Sequence, residues 1–123
     1  MLLDLLTVEE ERDRANVFDI GLLAERLVAV TRWAQREPAL AQLPIGYFGA
    51  STGAGAALWA AAELGDKIGA IVSRGGRPDL AATHLPHVRA PVLLIVGGHD
   101  EIVLELNREA RSRLLAPSAA PQT

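Results

Sequence analysis

The chain has no cysteine among its 123 residues, which excludes disulfides, thiolate nucleophiles and cysteine-ligated zinc. Aromatic residues are scarce, at 4%, and no apolar run approaches the roughly 20 residues that a bilayer-spanning helix needs. The opening segment Met1-Leu2-Leu3-Asp4-Leu5-Leu6 carries neither a basic lead nor a small-residue cleavage site, so it does not read as a secretory leader. Positive charge is not in excess either. The formal net charge is −3 and the arginines are scattered rather than massed, which argues against nucleic acid as a partner. What is present is a hydrophobic half, 50% of the residues, on a length suited to one domain with a real core. These properties predict a soluble, cytoplasmic protein with neither a membrane nor nucleic acid as partner.

The most informative stretch runs from Ile45 to Trp59 and reads as a short buried strand, a sharp turn and a helix. The turn holds Gly49-x-Ser51-x-Gly53, the G-x-S-x-G pattern of a nucleophile elbow, in which a strained turn lifts a serine hydroxyl clear of its sheet. Glycine is expected at both flanks so that strand and helix can approach closely. The following helix would aim free backbone N–H groups at the serine, and an oxyanion forming beside Ser51 would meet the Thr52 N–H. Two other readings stay open at this level: an anion site at the helix N-terminus and a purely structural turn. The P-loop pattern fails because Gly53 and Gly55 are followed by alanine, and G-x-G-x-x-G fails because Leu58 stands where the third glycine belongs. No cofactor is expected.

Around this stretch, Leu2–Leu6 reads as a buried strand and Glu9 to Arg14 as a solvated surface segment or one helical turn. Asp19 is placed to cap a helix with Leu23, Leu27, Val30 and Ala34 on one face, with Phe18 stapling onto Leu23, and Glu37-Pro38 ends it. The helix after the elbow stops at Gly65. Ile68–Val72 reads as a strand covered on both faces, followed by the polar loop Arg74 to Asp79. Leu80–Ala90 is a weakly patterned connection with a turn or two of helix, and its His84 and His87 are expected at the surface on the N-terminal side of the sheet. Pro91–Gly97 is the clearest strand, Gly98-His99-Asp100-Glu101 the loop after it, and Val103, Leu106, Ala110 and Leu114 mark a last amphipathic helix. This alternation predicts parallel strands with right-handed crossovers, a three-layer α/β sandwich on a short, mainly parallel sheet of about four strands. One domain would span 1–115, with a disordered tail at 116–123. In such sheets ligands gather at the C-terminal strand ends, where Ser51, Arg74 and Asp100 fall.

Three blocks in order, Tyr47-Phe48-Gly49-Ala50-Ser51-Thr52-Gly53, Ser73-Arg74-Gly75-Gly76-Arg77-Pro78-Asp79 and Leu93-Leu94-Ile95-Val96-Gly97-Gly98-His99-Asp100, resemble the α/β-hydrolase superfamily, and within it the dienelactone-hydrolase-like esterases. The resemblance implies a reduced α/β-hydrolase fold and serine chemistry on small carboxylic esters. Ser51 would be the nucleophile, Asp100 the triad acid and Thr52 the donor of one oxyanion N–H. It also implies that the family's earlier strands, with the second oxyanion donor, and its final strand, with the catalytic histidine, fall outside this sequence. His99, next to Asp100, is then the best available base. Arg74 is the candidate contact for an acidic substrate group. An unfilled place in the sheet would leave a free strand edge, open to pairing in a homodimer. The alternative expectation is a non-catalytic α/β module with a structural or dimer-forming role.

Overall fold

A computed structural model describes residues 1–114 and 118–119. Two short helices, α1 (Val8–Glu11) and α2 (Arg14–Val17), lead into the long α3 (Ile20–Arg36). Then come strand β1 (Ile45–Ala50), α4 (Thr52–Leu64), β2 (Ile68–Arg74), a 3-10 segment over Pro78–His87, β3 (Val92–Ile95), α5 (Glu101–Arg113) and the two-residue strand β4 (Ser118–Ala119). The sheet order is β1-β2-β3-β4, all pairs parallel. The expected α/β class and its parallel sheet are therefore present. The disordered tail expected over 116–123 lies outside the described residues, apart from the two that form β4.

Local signals account for most helix ends. Asp19 Oδ1 accepts the Leu22 N–H at 3.1 Å at the start of α3, and Glu37, ahead of Pro38, turns to extended backbone at its end. The acidic segment forms α1 through a capping box: Thr7 Oγ1 accepts the Glu10 N–H while the Glu10 carboxylate accepts the Thr7 N–H. Phe18, just before the Asp19 cap, stands half exposed beneath the Arg14 guanidinium.

The core lies between the sheet and its helices. Ile71, Leu85 and Leu94 are fully buried, and α4 meets them with its own buried Leu58 and a run of alanines that lets its backbone come close. Tyr47 ties β1 to α3: its hydroxyl pairs with that of Thr31, which in turn donates to the Leu27 carbonyl. Burial raises the Tyr47 pKa. The sheet is uneven across its two faces. Gly49, Ile71, Ser73 and Leu94 are buried, whereas Phe48, Ala70 and Arg74 are exposed, so β2 is not covered throughout as expected.

Leu2–Leu6 is not a strand. Leu2 is wholly exposed, and β1 ends the sheet with no neighbour beyond it among the described residues. The segment is held by a side chain instead of a ladder. Arg26 donates to the Leu5 carbonyl at 2.9 Å and grips both carboxylate oxygens of Glu10 at 2.7 and 2.6 Å. That guanidinium, with the Thr7 N–H, lowers the Glu10 pKa from 4.5 to about 2.

Candidate active site

Ser51 sits between β1 and α4 with φ +53° and ψ −128°, the one non-glycine residue of positive φ among those described. Such a conformation costs of order 1–3 kcal/mol and persists because its surroundings leave no alternative. A Cβ on Gly49 would stand 2.7 Å from the Gly53 carbonyl oxygen and 2.8 Å from the Ala54 backbone, so only glycine lets the strand pass the helix start. Gly53 differs from expectation: a Cβ there would meet open space. The Ser51 carbonyl is fixed from two sides, by the Ala54 N–H at 3.1 Å and the Arg77 N–H at 3.0 Å.

The hydroxyl itself is unengaged. Ser51 is exposed, does not cap α4 with its side chain, and among the described residues its Oγ has no hydrogen-bond partner. Thr52 opens the helix, and its N–H likewise has no partner among the described residues. A free N–H at the positive end of a 13-residue helix beside an uncommitted hydroxyl is the arrangement that stabilises an oxyanion.

Arg74 pairs in register with Ala50 on one side and Ile95 on the other, which places it at the sheet end where Ser51 emerges. It is exposed and makes no ion pair among the described residues. Arg77 is engaged differently, bound through two nitrogens to Asp79 at 3.0 Å each, an interaction that raises the Arg77 pKa.

Asp100 and His99 follow β3 at the same end, both exposed. Asp100 caps α5: its Oδ1 accepts the Val103 N–H at 3.2 Å, while Oδ2 has no partner among the described residues. Ser51 and Asp100 thus leave strands separated by β2, two strand spacings or about 10 Å. Neither Asp100 nor His99 hydrogen-bonds Ser51 among the described residues. An open depression at Gly97–Ile102 contains both, whereas a cavity of ≈ 530 Å³ lies on the other side of the elbow, between β1 and α3. Leu27, Val30, Tyr47 and Phe48 line that cavity, and Gly49, Ala50 and Gly53 bring it up to the serine turn. His84 is not a simple surface residue, because it is half-buried and stacked on Trp59 at 3.9 Å between ring centroids. Among the described residues no group of three or more His, Asp or Glu is placed to hold a metal ion. None of the described helices is long and apolar enough to cross a membrane.

Two buried polar residues were assigned no role from the sequence. Ser73 Oγ and Asn107 Oδ1 are buried without partners among the described residues. Asn107 occupies the apolar register of α5, between Val103 and Ala110. A polar residue in that register was the available signal.

Parallel sheet, crossing helices and a strained serine between strand and helix define an α/β-hydrolase-type fold. The chain is similar to dienelactone hydrolase from Anabaena variabilis, whose crystal structure matches it with a TM-score of 0.90 and 52% identity over 98% of this chain and 57% of that one. A dienelactone-hydrolase-like promiscuous phosphotriesterase from metagenomic libraries matches at TM-score 0.50 and 18% identity, over 94% of this chain and 48% of that one, and shows the fold alone. Two proteins from strains of Mycobacterium tuberculosis, both provisionally named phosphoribosyl transferase, are 64% identical over 112 residues. That alignment takes in 91% of this chain, which spans only 25% of each relative's length. No family model matches the chain.

Proposed function

We propose that the chain is a serine hydrolase acting on small carboxylic esters, with Ser51 as nucleophile. The observation that carries the reading is the unengaged, exposed hydroxyl on a residue held at positive φ against a helix N-terminus. Ser51 Oγ bonds to the ester carbonyl carbon as its proton passes to the His99 imidazole, and the Thr52 N–H takes the developing oxyanion. The C–O bond to the alcohol then breaks, and the imidazole returns the proton to the leaving oxygen. Water repeats the sequence on the acyl-enzyme. Asp100 supports the imidazolium through its free oxygen, and Arg74 attracts an acidic group on the substrate. The cavity between β1 and α3 supports an apolar substituent beside the elbow. With a base that must swing in from an exposed loop, turnover is weak, the level that oxyanion stabilisation and binding leave when a triad is incomplete.

The transferase name of the Mycobacterium tuberculosis relatives describes proteins of which this chain spans 25%. The piece shared with them folds here like the dienelactone hydrolase from Anabaena variabilis. Hydrolysis of p-nitrophenyl acetate tests the reading: wild-type turnover above buffer that vanishes in Ser51→Ala supports it, and equal rates in the two proteins reject it.

A second reading has its own support. Among the described residues β1 is a sheet edge, and Phe48 on it is 68% exposed, as in a non-catalytic module that pairs its free edge in a homodimer. Light scattering decides it: a dimer that Phe48→Lys converts to monomer, without ester turnover, favours the module.

A further inference from the structure

Asn107 is 1% exposed, and its amide nitrogen donates twice, to the Val103 carbonyl at 2.8 Å and to the Gly76 carbonyl at 3.2 Å. Its Oδ1 finds no partner among the described residues. An orphaned buried oxygen is a cost that leucine at this site would avoid. The donor half of the amide must therefore supply something that packing alone would not.

What it supplies follows from where its two acceptors lead. The Gly76 carbonyl and the Arg77 N–H belong to one trans peptide group, and that N–H donates to the Ser51 carbonyl at 3.0 Å. In the other direction, the Val103 N–H donates to Asp100 Oδ1 at 3.2 Å. One line of contacts thus runs from Ser51 through the 76–77 peptide, Asn107 and Val103 to Asp100. The loop it crosses is pinned on its strand and α4 side, and Asn107 supplies its hydrogen bond to α5. The Gly75 N–H continues the sheet ladder to the Ile95 carbonyl at 2.7 Å, and a Cβ on Gly76 would overlap Ser73 Oγ and the Ala54 side chain. Aligned peptide and amide dipoles also polarise one another.

We infer that Asn107 is a positioning residue that fixes the Ser51 turn relative to the Asp100 helix start across the intervening strand. This rests on the serine hydrolase reading above. Removing the tether lets the 75–77 loop drift from α5 and the Ser51 carbonyl lose one of its two anchors. The effect falls on the reactivity of the hydroxyl rather than on substrate binding.

Two variants test this. Asn107→Leu removes both bonds; Asn107→Thr keeps a bond to the i−4 carbonyl of Val103 but is too short to reach Gly76. The readouts are saturation kinetics of Ser51 labelling by an alkyl fluorophosphonate and amide exchange of Arg77 against Ile71. Both variants are expected to lower the limiting labelling rate on the order of tenfold with the half-saturating concentration unchanged, and to speed exchange at Arg77 but not at Ile71. If Asn107→Leu does not fold, Asn107→Thr carries the test alone. A folded Asn107→Thr protein that labels at the wild-type limiting rate with Arg77 protected as before overturns the inference. So does a variant in which Arg77 and Ile71 lose protection together, because that marks general loosening. Wild-type protein that takes no label rejects the hydrolase reading and the catalytic half of the inference with it. Arg77 exchange then still decides the tether, supporting it if faster in the variants and overturning it if unchanged.

Discussion

Two strand-to-helix turns stand at the same end of this sheet, and they are built on opposite principles. After β3, Asp100 uses its own carboxylate to cap α5 in an open loop of exposed residues. After β1, Ser51 leaves its hydroxyl free, adopts a strained backbone and depends on a neighbouring glycine for room. Serine is among the best capping residues available, so a serine at a helix start that does not cap is a side chain the fold does not use. The relaxed turn mixes stability with any chemistry it performs. The strained turn separates them, with backbone and Gly49 holding the shape while the hydroxyl is left over.

The contrast can be broken most severely at Gly49. Gly49→Ala drives a methyl group into the Gly53 carbonyl and the Ala54 backbone, and thermal or urea unfolding is expected to show a loss of about 3 kcal/mol or more. A loss under 1 kcal/mol would mean that the turn relaxes at little cost. The equivalent change at the other turn is milder. Asp100→Ala loses a helix cap, about 1 kcal/mol, whereas Asp100→Asn keeps an accepting oxygen and is expected to unfold near the wild-type midpoint while still losing ester turnover. Equal destabilisation by the two would show that the carboxylate charge, not the cap, matters there.

At Ser51 itself the signs reverse. Ser51→Gly relieves the positive φ and is expected to be about 1 kcal/mol more stable than Ser51→Ala, although both lose the hydroxyl. Equal unfolding midpoints for those two proteins would remove the strain from the account.

The smallest effect lies away from both turns, at Glu10. Its carboxyl is held at about 2 against an ordinary 4.5. A lowered folded-state pKa gives stability that is present above 4.5 and lost as pH falls through about 2. Carboxyl-carbon NMR should therefore find Glu10 titrating near 2 in the folded protein. In Arg26→Gln it should return towards the ordinary range, and titration near 4.5 in the wild type would contradict the ion pair.

The elbow was legible because everything that makes it is local. Glycines, serine, apolar strand and alanine-rich helix lie within fifteen residues and announce one another. The Asp19 cap and the stop at Glu37-Pro38 were legible for the same reason. Leu2–Leu6 was misread because a short apolar run fits strand or coil equally, and its outcome was decided by Arg26, far along the chain, reaching the Leu5 carbonyl. Asn107 was missed for a related reason: its partner at Gly76 is 31 positions away, and no spacing rule links them. His99 and Asp100 were placed at the right sheet end by strand order alone. Whether their loop closes on Ser51 depends on side-chain excursions that neither pattern nor topology dictates.

The central claim is that the left-over hydroxyl of Ser51 is nucleophilic. Intact-mass analysis after incubation with an alkyl fluorophosphonate measures this most directly. The account predicts one covalent adduct, mapped by peptide fragmentation to Ser51 and absent from Ser51→Ala. Folded wild-type protein that gains no mass, or that gains as much as the alanine variant, would contradict it.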